Sequence, residues 1–152
     1  MNDPNCLERD IAVIGMSIRF PLADTLCAFW NILKNGTDCI RPIPAKRKQQ
    51  LEPYLKTLAK ENREQNFCEA AYLDEIGMFD YKSFHITKRE AELMDPNQRL
   101  FLTVVKDALD DAYFDYNQNN VGIYVGYLGT DEYYKILQTI DPQSISSALI
   151  GN

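Results

Sequence analysis

The sequence predicts an α/β fold with too few strands to complete a sheet. Residues 11–14 form a short apolar run that ends at Gly15, which is typical of a buried strand. Residues 121–126 form a second run of this kind, with asparagines before it and Gly129 after it. Helical patterns lie between and after the two runs. The order strand, helix, insertion, helix, strand, helix therefore indicates helices packed on a partial sheet.

The first helix is predicted to begin after Asp24 or Thr25, since either side chain can accept a hydrogen bond from a free amide. Gly36 is suited to end this helix, because glycine readily adopts the left-handed conformation of a helix cap. The apolar residues between these positions recur at helical spacing, namely Leu26, Phe29, Trp30 and Leu33.

The insertion that follows this helix is polar and begins with a proline-rich connection. Residues 41–44 must be extended, because a residue before proline is excluded from the helical region. Residues 46–69 are rich in charge, with one short helix predicted from Leu51 to Leu58. A last helix is predicted over residues 131–140, with Tyr134 and Leu137 facing inward.

Two helix starts lie close together within residues 87–112. Thr87 and Glu90 have the spacing of a capping box, in which each side chain binds the other residue's backbone N–H. Asp95 is placed to cap a second helix, with Pro96 at its first position. The apolar residues of the second helix make one stripe, which we expect to face a core: Leu100, Phe101, Val104, Val105, Ala108, Leu109 and Ala112.

The composition is that of a globular protein of about one domain. The 152 residues are 45% hydrophobic and carry a formal net charge of −6, so we expect neither nucleic acid nor an anionic membrane as a partner. Residues 1–9 are a polar leader without the apolar stretch of a secretion signal, and no run is long enough to span a membrane. We expect a cytoplasmic protein, and we interpret Lys46, Arg47 and Lys48 as a solvated turn.

Metal and redox chemistry are not indicated by the sequence. The four cysteines, Cys6, Cys27, Cys39 and Cys68, form no CxxC pair, and a single histidine, His85, cannot supply a histidine pair for a metal. Cys39 and His85 are candidates for a nucleophile and its base, but their spacing has no known signature. We favour packing or surface roles for both.

Three other candidate sites also have simpler interpretations. Gly15 stands alone rather than within G-x-G-x-x-G, so we interpret it as a tight strand exit and reject nucleotide binding. Asp107 and Asp111 share a helix face, but nothing near them would raise the pKa of a carboxyl, and a solvated face is favoured. Arg99 lies one turn into the second helix, where we expect it to pair with a carboxylate elsewhere in the fold.

Together these motifs resemble the N-terminal part of a ketosynthase of the modular polyketide synthase type, which is a β-ketoacyl synthase. Residues 11–21, IAVIGMSIRFP, are similar to the opening strand of that family, and residues 84–102, FHITKREAELMDPNQRLFL, to its most recognisable N-terminal motif. Residues 121–126 resemble the next core strand, and residues 151–152 a short pair before the catalytic region. The resemblance covers residues 10–152.

The resemblance implies the N-terminal portion of a thiolase-like α-β-α-β-α fold and a homodimer in the complete enzyme. It also implies acyl-chain extension by decarboxylative Claisen condensation. In that chemistry a cysteine thiolate takes an acyl chain from the phosphopantetheine arm of an acyl carrier protein, and two histidines act on the malonyl-type extender. No metal or redox cofactor is bound. None of these three catalytic residues matches a position in this sequence, so no catalytic residue is assigned.

Two sets of residues can be carried over from the resemblance. The structural residues of the helix motif are Arg89, Glu90, Asp95, Pro96 and Arg99. The loop after the second predicted strand resembles the segment that lines the acyl pocket near the dimer partner, which gives four acyl-pocket or dimer-loop candidates: Tyr127, Leu128, Gly129 and Thr130. The chain also departs from the family at Tyr113, a bulky residue where the family has a glycine suited to a positive φ.

Three hypotheses follow for the function of the chain. The favoured one is the N-terminal piece of a ketosynthase, inactive alone and completed by the missing C-terminal half or the rest of a synthase. The alternative is a non-catalytic ketosynthase-like module that docks on a synthase or an acyl carrier protein. A third is a gene remnant without function. Because the two predicted strands would lack neighbours, we expect poor solubility or partial folding of the chain alone.

Overall fold

The computed structural model describes residues 11–58, 67–115, 120–126 and 132–140, apart from some side chains in two of the helices. Regular structure within these ranges is helical. One turn of 3₁₀-helix, Tyr81–Phe84, accompanies the α-helices, which are α1 (Leu26–Asn35), α2 (Ala45–Leu58), α3 (Lys88–Leu93), α4 (Pro96–Asp111) and α5 (Glu132–Ile140). The helices predicted near residues 51–58 and 131–140 are thus confirmed as α2 and α5.

The chain divides into two compact units. Unit 1 combines Met1–Ser17 with Ile86–Asn152, and unit 2 is the intervening Ile18–His85. Unit 1 therefore contains α3, α4 and α5, whereas unit 2 contains α1, α2 and the 3₁₀-helix. The leader predicted over residues 1–9 lies outside the described residues.

Unit 2 begins with a tight turn that leads into α1. Phe20 and Ala23 exchange two backbone hydrogen bonds of 2.9 Å, and Leu22 between them has a left-handed backbone with φ of 65°. Thr25 rather than Asp24 caps α1, since its side chain accepts a hydrogen bond from the N–H of Ala28 at 3.2 Å. Gly36 ends the helix with φ of 60°, as its sequence position predicts.

The two successive helix starts predicted in unit 1 are confirmed. The hydroxyl of Thr87 accepts from the N–H of Glu90 at 3.2 Å, and the carboxylate of Glu90 accepts from the N–H of Thr87 at 2.7 Å. Asp95 caps α4 with Pro96 in its first turn. After α4, Tyr113 has φ of 50°, so a bulky residue occupies a left-handed position, where the resemblance implies a glycine.

The two predicted strands are not formed in the described part of the chain. Residues 11–14 and 121–126 have no regular secondary structure there, and no backbone ladder joins them. A strand exists only through hydrogen bonds to a neighbouring strand, and neither segment has such a neighbour among these residues. Because no sheet forms among the described residues to cover α4, its apolar stripe does not face a closed core, and no residue of α4 is fully buried.

Candidate functional site

The junction between α3 and α4 carries the motif that most strongly indicated the family. Asp95 is 7% exposed, and its carboxylate accepts a hydrogen bond from the N–H of Asn97 at 2.7 Å. Tyr133 of α5 reaches the same junction, because its hydroxyl lies 3.3 Å from the carbonyl oxygen of Leu93 and 3.2 Å from that of Met94. These hydrogen bonds attach α5 to the turn between the two helices.

Two charged side chains, Arg99 and Asp95, act on the hydroxyl of Tyr133. Burial raises the pKa of Tyr133, the carboxylate of Asp95 raises it further, and the guanidinium of Arg99 opposes both. The phenol therefore stays protonated at neutral pH and remains a hydrogen-bond donor to the two carbonyls. No sequence pattern indicates this contact, because a tyrosine in an amphipathic helix is usually a packing residue.

Arg99 lies in the same cluster. Its Nε is buried and has no hydrogen-bond partner within the described ranges. The carboxylate that we expected Arg99 to pair with is not found among those residues. A buried guanidinium N–H without an acceptor is costly, so this position calls for a further partner.

Arg89 and Glu90 lie on the exposed side of the motif. Hydrogen bonds from the backbone and the hydroxyl of Thr87 lower the pKa of Glu90, which fixes its carboxylate as an acceptor at the start of α3. This geometry gives Glu90 a capping role. Neither residue is positioned here as an acid or a base.

An open apolar groove runs along α4 in unit 1, with a volume of about 860 Å³. Residues 12–15 line one part of it and residues 121–124 another. The remaining lining residues come from α4 and the chain just after it: Phe101, Val105, Ala108, Leu109, Ala112 and Phe114. None of the described residues that line the groove is charged. Five of the seven residues of the stripe that was predicted to face a core line this open surface instead.

Gly15 holds the segment before it against α4. A Cβ atom at Gly15 would lie 2.4 Å from the carbonyl oxygen of Ala108 and 2.7 Å from the Cβ of Ala112, so a side chain there would force the segment away. The carboxylate of Asp111 accepts a hydrogen bond from the N–H of Met16 at 2.9 Å. Close packing on a helix, rather than the tight turn that we predicted, explains the glycine. The Asp111 side chain is exposed, as predicted for a solvated face, and it also anchors Met16 through this hydrogen bond.

Unit 2 contains a polar clamp that the sequence did not reveal. Arg41 and Ala70 exchange two backbone hydrogen bonds of 3.1 and 3.0 Å. The guanidinium of Arg41 donates to the carbonyl of Tyr72 at 2.9 Å and to the carboxylate of Asp74 at 2.7 Å. Arg41 therefore ties the proline-rich connection to residues 70–74.

The basic residues at the start of α2 extend this clamp. Arg47 donates to the carbonyl of Leu73 at 3.1 Å, and its guanidinium lies 5.7 Å from the centre of the Tyr72 ring. Lys46 forms an ion pair with Glu75. Residues 46–48 lie in the first turns of α2, so the prediction of a turn is wrong, whereas the Lys46 side chain is solvated as predicted, with 64% of it exposed. The contacts join residues about 26 to 29 positions apart, which no local pattern indicates.

The remaining candidates do not assemble into a site. The thiol of Cys39 lies 3.7 Å from the carbonyl oxygen of Thr37, and His85 ends the 3₁₀-helix with φ of 54°. No hydrogen bond joins these two side chains in the part of the chain that the structure describes. Over those same ranges no group of three or more potential ligands could hold a metal ion, and no helix is long and apolar enough to cross a membrane. The four loop candidates, Tyr127, Leu128, Gly129 and Thr130, lie outside the described residues.

Comparison with known proteins connects these features. Residues 8–152 match the family described as beta-ketoacyl synthase, N-terminal domain. The chain is 38% identical over 131 residues to polyketide synthase PksN of Bacillus subtilis, and 34% identical over 153 residues to PksL of the same organism. These alignments cover 81% and 94% of this chain but 2% and 3% of the relatives. The chain thus spans a small fraction of the curated relatives that it matches.

Solved structures give the same result for the fold. The ketosynthase from module 6 of the bacillaene synthase of Bacillus subtilis matches 68% of this chain and 17% of its own, with a TM-score of 0.52 and 34% identity. An oxazolomycin ketosynthase domain from Streptomyces albus matches 65% of this chain with a TM-score of 0.50 and 29% identity. The predicted thiolase-like α/β class is confirmed by these ketosynthase domains. The chain belongs to the β-ketoacyl synthase N-terminal domain family, in its polyketide synthase branch.

Proposed function

We propose that this chain is the N-terminal part of a ketosynthase that extends acyl chains by decarboxylative Claisen condensation in polyketide or fatty-acid biosynthesis. The observation that carries the proposal is the family match over residues 8–152, together with the two helix starts that the structure forms at Thr87 and Asp95. The described residues supply scaffold rather than chemistry. They cap helices, hold α5 at the junction and keep residues 11–16 on α4.

The chain is inactive by itself in this proposal. Condensation of the expected kind uses one cysteine and two histidines, whereas the sequence contains a single histidine, His85. His85 follows the 3₁₀-helix of unit 2 and has no resemblance to the family's catalytic positions. In this proposal both catalytic histidines and the nucleophilic cysteine come from the rest of a ketosynthase domain.

The proposed partners follow from this chemistry. An acyl carrier protein presents the acyl chain and the extender on its phosphopantetheine arm, and the completed enzyme is a homodimer in the cytoplasm. The net charge of −6 supports neither a nucleic-acid partner nor an anionic membrane surface. We also propose that Tyr127, Leu128, Gly129 and Thr130 contribute to the acyl pocket or the dimer loop.

A chimaera tests the condensation activity. Residues 1–152 replace the matching N-terminal part of the module 6 ketosynthase, and transfer of a radiolabelled acyl group to the protein is measured, followed by condensation with a malonyl carrier protein. We expect the chimaera to be acylated and to condense, and the chain alone to do neither. A chimaera whose nucleophilic cysteine is replaced by alanine is the matched control. A folded chimaera that is not acylated would contradict the proposal, and carrier binding without acyl transfer would favour a non-catalytic docking module.

A further inference from the structure

We propose that Tyr133 is a positioning residue for the acyl pocket, because its hydroxyl holds the start of α5 at the junction between α3 and α4. This proposal rests on the function proposed above and assigns one side chain of this chain to that function. The loop proposed to contribute to the acyl pocket, residues 127–130, ends three residues before Tyr133 in the sequence. The place where α5 begins therefore determines where that loop must end.

Few of the described side chains of α5 attach it to the rest of unit 1. Leu137 is 8% exposed, and Tyr133 lies four residues before it, so the two share one face of the helix. The other described side chains of α5 are exposed, namely Lys135, Ile136, Gln138 and Thr139. Because α5 has nine residues, it is marginal as a helix without packing. Its place in unit 1 therefore depends on Tyr133 and Leu137.

The two attachments differ in what they fix. Burial of Leu137 is favourable, but apolar burial has no preferred direction. The contacts of Tyr133 are directional, because its hydroxyl lies 3.3 Å from the carbonyl oxygen of Leu93 and 3.2 Å from that of Met94, and hydrogen bonds weaken steeply when their geometry is lost. Leu137 thus keeps α5 on unit 1, and Tyr133 sets the position at which the helix begins.

The position of the Tyr133 hydroxyl requires a hydrogen-bond donor. Its two partners are carbonyl oxygens at the C-terminal end of α3, where no further helical turn supplies donors. The carboxylate of Asp95, which is 7% exposed, acts on the same hydroxyl and would repel an acceptor there. Phenylalanine keeps the aromatic ring but offers no donor. Tyr133→Phe therefore removes the positioning contact and leaves the packing of the ring.

The first measurement is hydrogen exchange in the full chain, which does not depend on activity. Tyr133→Phe should speed the exchange of the amides of residues 135–139 about fivefold, which corresponds to the loss of one hydrogen bond. Tyr113→Phe is the matched control, because it removes the hydroxyl of a tyrosine that is 97% exposed in the same unit. Exchange of the α5 amides that Tyr133→Phe leaves unchanged would overturn the proposal.

The second measurement is the kinetics of acyl transfer to the chimaera described above. If the end of the loop is not fixed, the acyl chain must order the loop when it binds, which weakens its apparent affinity. Tyr133→Phe should therefore raise the KM for the acyl donor about fivefold and leave kcat within about twofold, because the reacting cysteine and histidines lie in the module 6 part of the chimaera.

This division between KM and kcat distinguishes positioning from a merely structural role. A residue needed only for folding would lower the fraction of active enzyme, so kcat would fall while KM stayed the same. That result would overturn the proposal, and so would a KM that Tyr133→Phe leaves unchanged. In the chimaera, Tyr113→Phe should change neither quantity.

The two measurements also separate the positioning role from the proposed function. A folded chimaera with Tyr133 intact that is not acylated would refute the function and, with it, the role of Tyr133 at an acyl pocket. An active chimaera whose KM is unchanged by Tyr133→Phe would refute the positioning role and retain the function.

Discussion

In unit 2, arginine side chains reach backbone carbonyls and join distant segments beside two local aromatic pairs, Phe20–Phe29 and Phe79–Phe84, whereas unit 1 is held together by contacts among helices. In unit 2 the clamp joins Arg41 and Arg47 to the carbonyls of Tyr72 and Leu73. In unit 1, Ala91 and Leu137 are buried and Tyr133 attaches α5 to the turn before α4. Apart from Pro21 and Ala23 of the first turn, no other described apolar residue is buried.

The difference shows two ways in which a chain with little core can keep local order. Charge-assisted hydrogen bonds to carbonyls fix a loop without requiring much apolar burial, but they are weakened by exposure and by salt. Apolar packing on a helix is less sensitive to salt, but it requires surfaces that match closely. Unit 2 should therefore respond to charge changes, and unit 1 to changes of side-chain volume.

The largest effect is expected for Gly15→Val in unit 1. The new side chain would overlap the backbone of α4 at Ala108, because a Cβ atom added at Gly15 would already lie 2.4 Å from the carbonyl oxygen of Ala108. Overpacking of this kind costs about 1–3 kcal/mol and should displace residues 11–16. Hydrogen exchange of the Met16 amide, which should become fast, measures the change. Gly77→Val is the control, because no atom lies within 4 Å of a Cβ there, and slow exchange of Met16 in Gly15→Val would contradict the proposed packing.

In unit 2, Arg41→Ala should be nearly as disruptive. The substitution removes donors to Tyr72 and Asp74 and leaves a carbonyl without its partner, which costs about 1–3 kcal/mol. Limited proteolysis should then cleave residues 70–75 faster, and the difference from the unchanged chain should shrink at 1 M salt. Lys46→Ala is the comparison, because its side chain is 64% exposed and its ion pair is worth at most about 1 kcal/mol. Equal effects of the two substitutions would show that the clamp depends on charge alone.

Two smaller effects, one in each unit, concern left-handed residues. Leu22→Gly in unit 2 and Tyr113→Gly in unit 1 should each stabilise the chain by about 0.5–1 kcal/mol. Non-glycine residues at φ of 65° and 50° are strained, and glycine relieves that strain at some cost in chain entropy. The midpoint of urea denaturation should rise for both variants. A lower midpoint for Tyr113→Gly would mean that its 97% exposed ring makes contacts that offset the strain.

The smallest effects are those of pH on single carboxyl groups. Hydrogen bonds from Thr87 lower the pKa of Glu90 in unit 1, and a hydrogen bond from Ser83 lowers the pKa of Asp80 in unit 2. A lowered pKa in the folded state means that the stabilisation is complete above the ordinary pKa and is lost as pH falls below it. The loss should begin near pH 4.5 for Glu90 and near pH 3.8 for Asp80.

Thermal melts from pH 3 to 6 test this order. The melting temperature of the unchanged chain should exceed that of Glu90→Gln above pH 4.5, and the gap should close as pH falls. For Asp80→Asn the gap should close at lower pH. A constant gap for Glu90→Gln over the whole range would show that the charge of Glu90 contributes nothing to the start of α3.

The sequence by itself determined the local elements. Capping residues act through neighbours three or four residues away, so Gly36, Thr87 with Glu90, and Asp95 could be assigned from spacing alone. The cap of α1 was narrowed to Asp24 or Thr25, and the structure selects Thr25. The order of its motifs also indicated the ketosynthase family, which the comparisons confirmed. The apolar runs at residues 11–14 and 121–126 gave the correct fold class, although neither forms a strand in the described part of the chain.

Only the tertiary structure decided which distant residues meet. The bonds of Asp111 to Met16, Tyr133 to Met94 and Arg41 to Tyr72 join positions 95, 39 and 31 residues apart. Contacts over such separations depend on how the helices pack, and periodicity describes a single element without identifying its partner. The same reason explains why the stripe of α4 could be recognised from the sequence, whereas the open groove that it lines could not.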